Sequence, residues 1–138
     1  MPSLQDPRAL VSTEAVLEAA GCFESIANAL HRSLLRLADM APTSTEKIYA
    51  LITEEYGLRT RLGILRGDAK NRIVQGVSES QKDLVSLLSD TARKITDSNS
   101  IDEIGLITNT VSALCVSIYP GKQKTVEFLI TNLREDSR

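Results

Sequence analysis

STEAVLEAAGCFESIANALHRSLLRLADMAPTSTE, residues 12–46, decides how this chain folds. Val16, Phe23, Leu30 and Leu37 recur at seven-residue intervals, and Ala20, Ala27 and Leu34 fill the neighbouring column. This spacing lays one continuous apolar stripe along a long helix, widened by Ile26 and Met40. Glu14, Glu18, Glu24, Arg32, Arg36 and Asp39 take the other positions. Ala41-Pro42 stops the helix, because proline disfavours helical geometry in the residue before it. Thr43 and Glu46 then match a capping box, in which a hydroxyl and a carboxylate satisfy orphan amides reciprocally. So short a connection predicts a coiled-coil-like hairpin of two antiparallel helices, residues 12–40 against residues 44–75.

Beyond the hairpin, Gly57, Gly63 and Gly67 each cost a helix roughly 1 kcal/mol relative to alanine, and Gly57 before Leu58 is the expected break. Gly76-Val77 reads as a helix C-terminal cap, and Ser78 with Gln81 as a second capping box. A third helix carries Leu84, Leu87, Leu88, Thr91, Ala92 and Ile95, ending in Arg93 and Lys94, whose charge suits the helix dipole. Residues 96–99 form a polar loop, and Ser100 with Glu103 opens a fourth helix through Ile104, Ile107, Val111, Leu114 and Ile118. Tyr119-Pro120-Gly121 closes it, and Val126, Leu129, Ile130 and Leu133 mark a short final helix. The expected fold is all-α: a single domain, residues 1–138, forming an antiparallel bundle of four to five helices, with residues 1–11 and 134–138 as flexible ends. The competing pattern is α+β, because residues 107–131 are rich in Ile, Val and Thr and a Pro-Gly between two such runs can turn a β-hairpin.

Of the 138 residues, 42% are hydrophobic and 25% charged, with 16 basic against 18 acidic side chains, which is a globular composition. A net charge of −2 gives no bulk attraction to a polyanion, so nucleic-acid or membrane-surface binding would need a local basic patch. Cys22 and Cys115 stand far apart without CxxC or His-rich spacing, which fits a reducing compartment. Residues 1–12 show neither a basic start nor an apolar core of a secretory signal, and no run reaches the ~20 apolar residues of a membrane span. A cytoplasmic location is the resulting expectation.

Two surfaces carry information. From Ile104 to Gly121 there is no charged side chain, and a helix without a charged face suits a central core helix or a partner groove rather than a solvated one. The second helix is apolar on two flanks: Leu51, Leu58, Leu62, Leu65 and Ala69 on one, Tyr49, Ile52, Tyr56, Gly63 and Val74 on the other. One neighbouring helix cannot cover both, and Gly63 with Gly67 would let a second backbone approach closely. The second flank, with Gly67, is therefore the expected partner or oligomer interface, unless the third or fourth helix packs there. Residues 59–94 carry 8 basic and 4 acidic groups while residues 1–58 carry 4 and 8, an asymmetry that invites complementary docking within the chain or between subunits. Arg59, Arg61, Arg66, Lys70 and Arg72 are the candidate contacts for an acidic partner or an anion.

Catalytic arrangements are not expected. Cys22 and His31 lie nine positions apart on one helix, on opposite faces and roughly 13 Å apart along the axis. No Glu-x-x-His, His-x-x-x-His or EF-hand spacing occurs, so no metal or cofactor is expected. A helix-turn-helix with its turn at Gly57 would require Gly63 and Arg66 at core positions, which neither fills. The sequence points to a non-catalytic protein-interaction module: an adaptor, a chaperone-like or immunity-like binding protein, or one subunit of a homo-oligomer. The alternative is a regulatory nucleic-acid binder using the basic 59–72 segment.

Overall fold

Ser12 sits in extended backbone and its Oγ accepts the Ala15 amide at 3.1 Å, so the first helix, α1 (Thr13–Ala38), begins with a satisfied cap. Both apolar columns of residues 16–37 are buried, whereas Met40 lies beyond the helix and is exposed, so it does not widen the stripe as expected. The structure is a computed structural model describing residues 7–40 and 45–136. Among the described residues the other helices are α2 (Thr45–Gly67), α3 (Gln81–Asp97), α4 (Ile101–Ile118) and α5 (Gln123–Asp136), with a 3-10 turn at Ala69–Asn71. The protein is an all-α helical bundle, and no strand occurs among the described residues.

Paired side chains give the helix directions. His31 meets Glu55, Asn28 meets Arg59 and Glu24 meets Arg66, so α1 and α2 are antiparallel. Gln81 reaches Ala15 and Glu18, Ser33 donates to the Ile95 carbonyl and Arg36 donates to the Thr96 and Ser98 carbonyls, so α3 runs parallel to α1. Lys47 pairs with Asp102 and Ser112 donates to Glu54, which sets α4 parallel to α2. Consecutive helices alternate in direction, while these neighbours in space, α1 with α3 and α2 with α4, share one.

The parallel placement of α3 follows from how residues 68–80 return along the base of the bundle. Val74 donates to the Leu10 carbonyl, Ala9 to the Glu79 carbonyl and Gln81 to the Pro7 carbonyl, at 2.8–2.9 Å. The segment expected as a flexible start is therefore docked from Pro7 onward. Leu10 is fully buried at φ 61°, a left-handed backbone that a leucine holds only when its surroundings impose it. The other end is also more ordered than expected: Arg134 to Asp136 finish α5, and Arg134 pairs with Glu79.

Other boundaries differ from expectation for physical reasons. Helix α2 passes through Gly57 unbroken, because burying Leu51, Leu58, Leu62 and Leu65 outweighs a glycine penalty of about 1 kcal/mol. It ends at Gly67 rather than near Gln75, where Asp68 takes hydrogen bonds from the Asn71 and Arg72 side chains and draws the chain into the 3-10 turn. Those two donations, Asn71 first, hold the Asp68 carboxyl below its ordinary range. Gly76 does adopt positive φ, 82°, yet it caps no helix; its carbonyl accepts Gln123 of α5. The cap of α3 is Ser80 rather than Ser78, leaving Gln81 free to turn inward. The Thr43–Glu46 capping box involves Thr43, which lies outside the described residues. Residues 107–131 do not form a β-hairpin: α4 and α5 bury their β-branched side chains as helices, and Gly121 at φ 69° makes the turn between them.

Candidate functional site

The charges of α2 point sideways. Lys47 and Glu54 reach α4, through Asp102 and Ser112. On the other flank Glu55 lies 3.1 Å from His31, Arg59 bonds Glu55 and Asn28, and Arg66 bonds Glu24. What remains for solvent is an outer ridge of Tyr49, Thr53, Tyr56, Thr60, Gly63 and Gly67, flanked by Ile52, Gly57 and Ile64, with no charge across five turns. Tyr49 is 65% and Tyr56 71% exposed. Thr53 and Thr60 donate their hydroxyls to the Tyr49 and Tyr56 carbonyls of the same helix. The two threonines of the ridge thus direct their donors back into the helix.

A Cβ added to Gly57, Gly63 or Gly67 would meet nothing within 4 Å. No packing inside the chain explains these glycines, each of which weakens a helix. Gly63→Ala is therefore expected to raise the unfolding free energy of the chain in dilute solution by about 1 kcal/mol. Denaturant titration checks this; a loss of stability would mean that a neighbour occupies the space beside Gly63.

Helix α4 adds a second uncharged strip. Leu106, Asn109, Ala113 and Val116 face outward, with Leu106 58% exposed, so α4 is buried on one side and bare on the other rather than surrounded by helices. By length and a mean hydropathy of 1.4 this helix alone, among the described residues, could cross a membrane, and it packs here against α2 and α5. Two grooves separate α4 from α2. One, of about 390 Å³, lies between Lys47, Leu51, Glu54, Asp102 and Leu106. The other, of about 220 Å³, is apolar, with Ile64, Leu65, Val116, Tyr119 and Pro120 as walls, Arg61 at its edge and Cys115 at its base.

Burial pushes the Cys115 thiol up to about 12, against a small opposing pull from Arg61. At pH ~8 its alkylation should be slower than that of a free cysteine by on the order of a thousandfold, because only thiolate reacts. Mass spectrometry of the iodoacetamide-treated native protein reads this, and labelling at the free-cysteine rate would show that the groove opens. Cys22, half-buried, is raised as well, by burial and then by Glu18.

The structure brings some of the expected residues together and separates others. Tyr49, Ile52, Tyr56, Gly63 and Gly67 share the outer side of α2 and are exposed. Val74 does not belong with them: it follows the end of α2 and is buried under the N-terminal arm. The basic residues form no single patch. Arg59 and Arg66 tie α2 to α1, so part of the charge asymmetry is met inside the chain. Arg72 is held by Asp68 and the Tyr119 carbonyl and lies 3.6 Å from the Tyr119 ring centroid, a cation–π distance. Arg61 and Lys70 are exposed and form no ion pair among the described residues, Arg61 on the α4 side. Sequence reading singled out Leu106, Ala113 and Val116 on the uncharged back of α4 but missed Thr53, Thr60 and Ile64 on α2, for which the angular phase of the α2 charges was the signal. Among the described residues no three His, Cys, Asp or Glu side chains converge as metal ligands would.

Comparison with known protein families, with curated proteins and with solved structures finds no match to this chain.

Proposed function

We propose that this protein is a non-catalytic protein-interaction module whose docking face is the outer side of α2 with the adjoining strip of α4. One observation carries the reading: over five turns an exposed ridge of α2, in a chain that is 25% charged, holds no charge, while Lys47, Glu54, Glu55, Arg59 and Arg66 of that helix engage its neighbours. Solvent-facing helix positions ordinarily carry the polar residues, and contiguous exposed apolar surface marks interaction sites. The partner chemistry that fits is an uncharged helical face, presenting side chains to the tyrosines and backbone to the glycines.

The test compares capture by the wild-type chain with capture by Thr60→Arg, which puts charge at the centre of the ridge. Proteins bound through this face are expected to be lost with the variant, and to persist after nuclease treatment and in about 0.5 M salt, where exposed charge pairs are screened. Recovery dependent on nucleic acid, or a steep loss with salt, favours the basic 59–72 segment instead and overturns this reading.

A further inference from the structure

The ridge is not uniform along its length. Its N-terminal half bears the two tyrosines, Tyr49 and Tyr56, with Thr53 between them, and its C-terminal half Thr60 and the glycines Gly63 and Gly67. Charge on the flanks follows the same division. Glu46, Glu54 and Glu55 lie in the first half with Lys47, and Arg59, Arg61 and Arg66 in the second. A helix graded this way in both size and charge is complementary to itself when reversed.

We propose that the occupant of this face is a second copy of the chain, with α2 packed antiparallel on α2 of the partner about a two-fold axis beside residue 58. The proposal rests on the docking role argued above and names its partner. In this register Tyr49 stands over the partner's Gly67, Thr53 over the partner's Gly63 and Tyr56 over the partner's Thr60. Each tyrosine meets a smaller residue, and the open space beside Gly63 and Gly67 is filled by Thr53 and Tyr49. A parallel pairing would set tyrosine against tyrosine and arginine against arginine. A two-fold axis perpendicular to antiparallel helices keeps like flanks together, so the α4 side of one subunit meets the α4 side of the other. Arg61, exposed and without an ion pair among the described residues, is on that side and so is Glu54, which accepts the Ser112 hydroxyl; the register sets Arg61 at the level of the partner's Glu54 twice, once in each direction, on the edge of the interface. The uncharged strip of α4 then lies along the edge of the same interface. Residues 49–67 span roughly 28 Å of helix, a length that with the α4 strip suits the ~800 Å² per subunit of a stable interface.

Sedimentation equilibrium from about 1 to about 200 µM, where micromolar association is readable, gives the test. The wild type is expected to be a dimer. Thr60→Arg, an exposed position that leaves helicity unchanged by circular dichroism, should weaken association by about 30-fold or more, as loss of a central contact does. Arg61→Glu and Glu54→Arg should each weaken it, and the double variant should regain dimerisation, because in the antiparallel register both pairs are inverted together. Residues 54 and 61 are seven apart on one helix and two full turns from each other, so a repair within one chain does not produce this rescue. A chain monomeric throughout overturns the second copy, and ridge-dependent capture of other proteins would then still stand. A dimer indifferent to Thr60→Arg places the interface elsewhere, and a double variant that fails to regain dimerisation overturns the antiparallel register.

Discussion

Leu114→Asp is expected to unfold the protein. Leu114 is fully buried on the inner side of α4. Truncating such a leucine costs ~2–5 kcal/mol in a packed core. The carboxylate adds to this: keeping it protonated at neutral pH costs about 4 kcal/mol, and leaving it charged and unpaired costs more. Against a typical domain stability of about 5–15 kcal/mol, the sum removes most or all of the folded population. Ala113→Asp, one residue away on the exposed side of the same helix, should change stability by less than about 0.5 kcal/mol. Thermal unfolding followed by circular dichroism reads both variants. If Leu114→Asp melts with the wild type, the inner face of α4 is not the core described above.

The second large effect is expected at Gln81, the most connected buried polar residue. Its Oε1 accepts the Leu10 amide at 2.9 Å, and its Nε2 donates to the Ala15 carbonyl at 2.9 Å and to Glu18 at 2.8 Å. Gln81→Ala strands the buried Leu10 amide, at ~1–3 kcal/mol, and removes one of the two backbone hydrogen bonds that hold that leucine in its left-handed conformation, leaving the one from Val74. A total near 2–4 kcal/mol lowers the melting temperature by roughly 8–15 °C in a domain of this size. Gln81→Glu tests the electrostatic part. A glutamate there would be desolvated beside Glu18, both of which raise its folded pKa above the unfolded value of about 4.3. The destabilisation should then be full at neutral pH and be relieved as pH falls through the raised pKa. A Gln81→Glu protein equally stable at pH ~7 and at pH ~5 would mean that this side chain does not face Glu18.

The hairpin and the core of α1 were legible because one physical signal dominated: apolar residues at seven-residue spacing define one burial direction whatever packs on it. The course of residues 68–80 was not legible. Whether Gly67-Asp68 ends a helix depends on Asp68 meeting Asn71 and Arg72, and the docking of Leu10 depends on Val74 and Gln81, which are distant in sequence. The same gap explains Val74. Helical extrapolation beyond Gly67 put it on the interface flank, while the chain had already turned it into the core. At the candidate site Tyr49, Tyr56 and Gly63 could be singled out from periodicity alone. That the arginines Arg59 and Arg66 bind α1 rather than an outside partner required knowing which flank of α2 faces α1.

The N-terminal arm also sets an order of events. Helices α1 and α2 meet through residues close in sequence, whereas the backbone hydrogen bonds of Leu10 come from residues 74 and 81. Contacts between near residues form early, and closing a loop of some seventy residues comes late. A ribosome-bound chain ending short of residue 81 therefore leaves Leu10 free to relax to ordinary backbone, and the arm latches only after α3 has begun to dock. Pulsed hydrogen exchange during refolding should find the Leu10 amide among the last to gain protection, after the amides in the middle of α1.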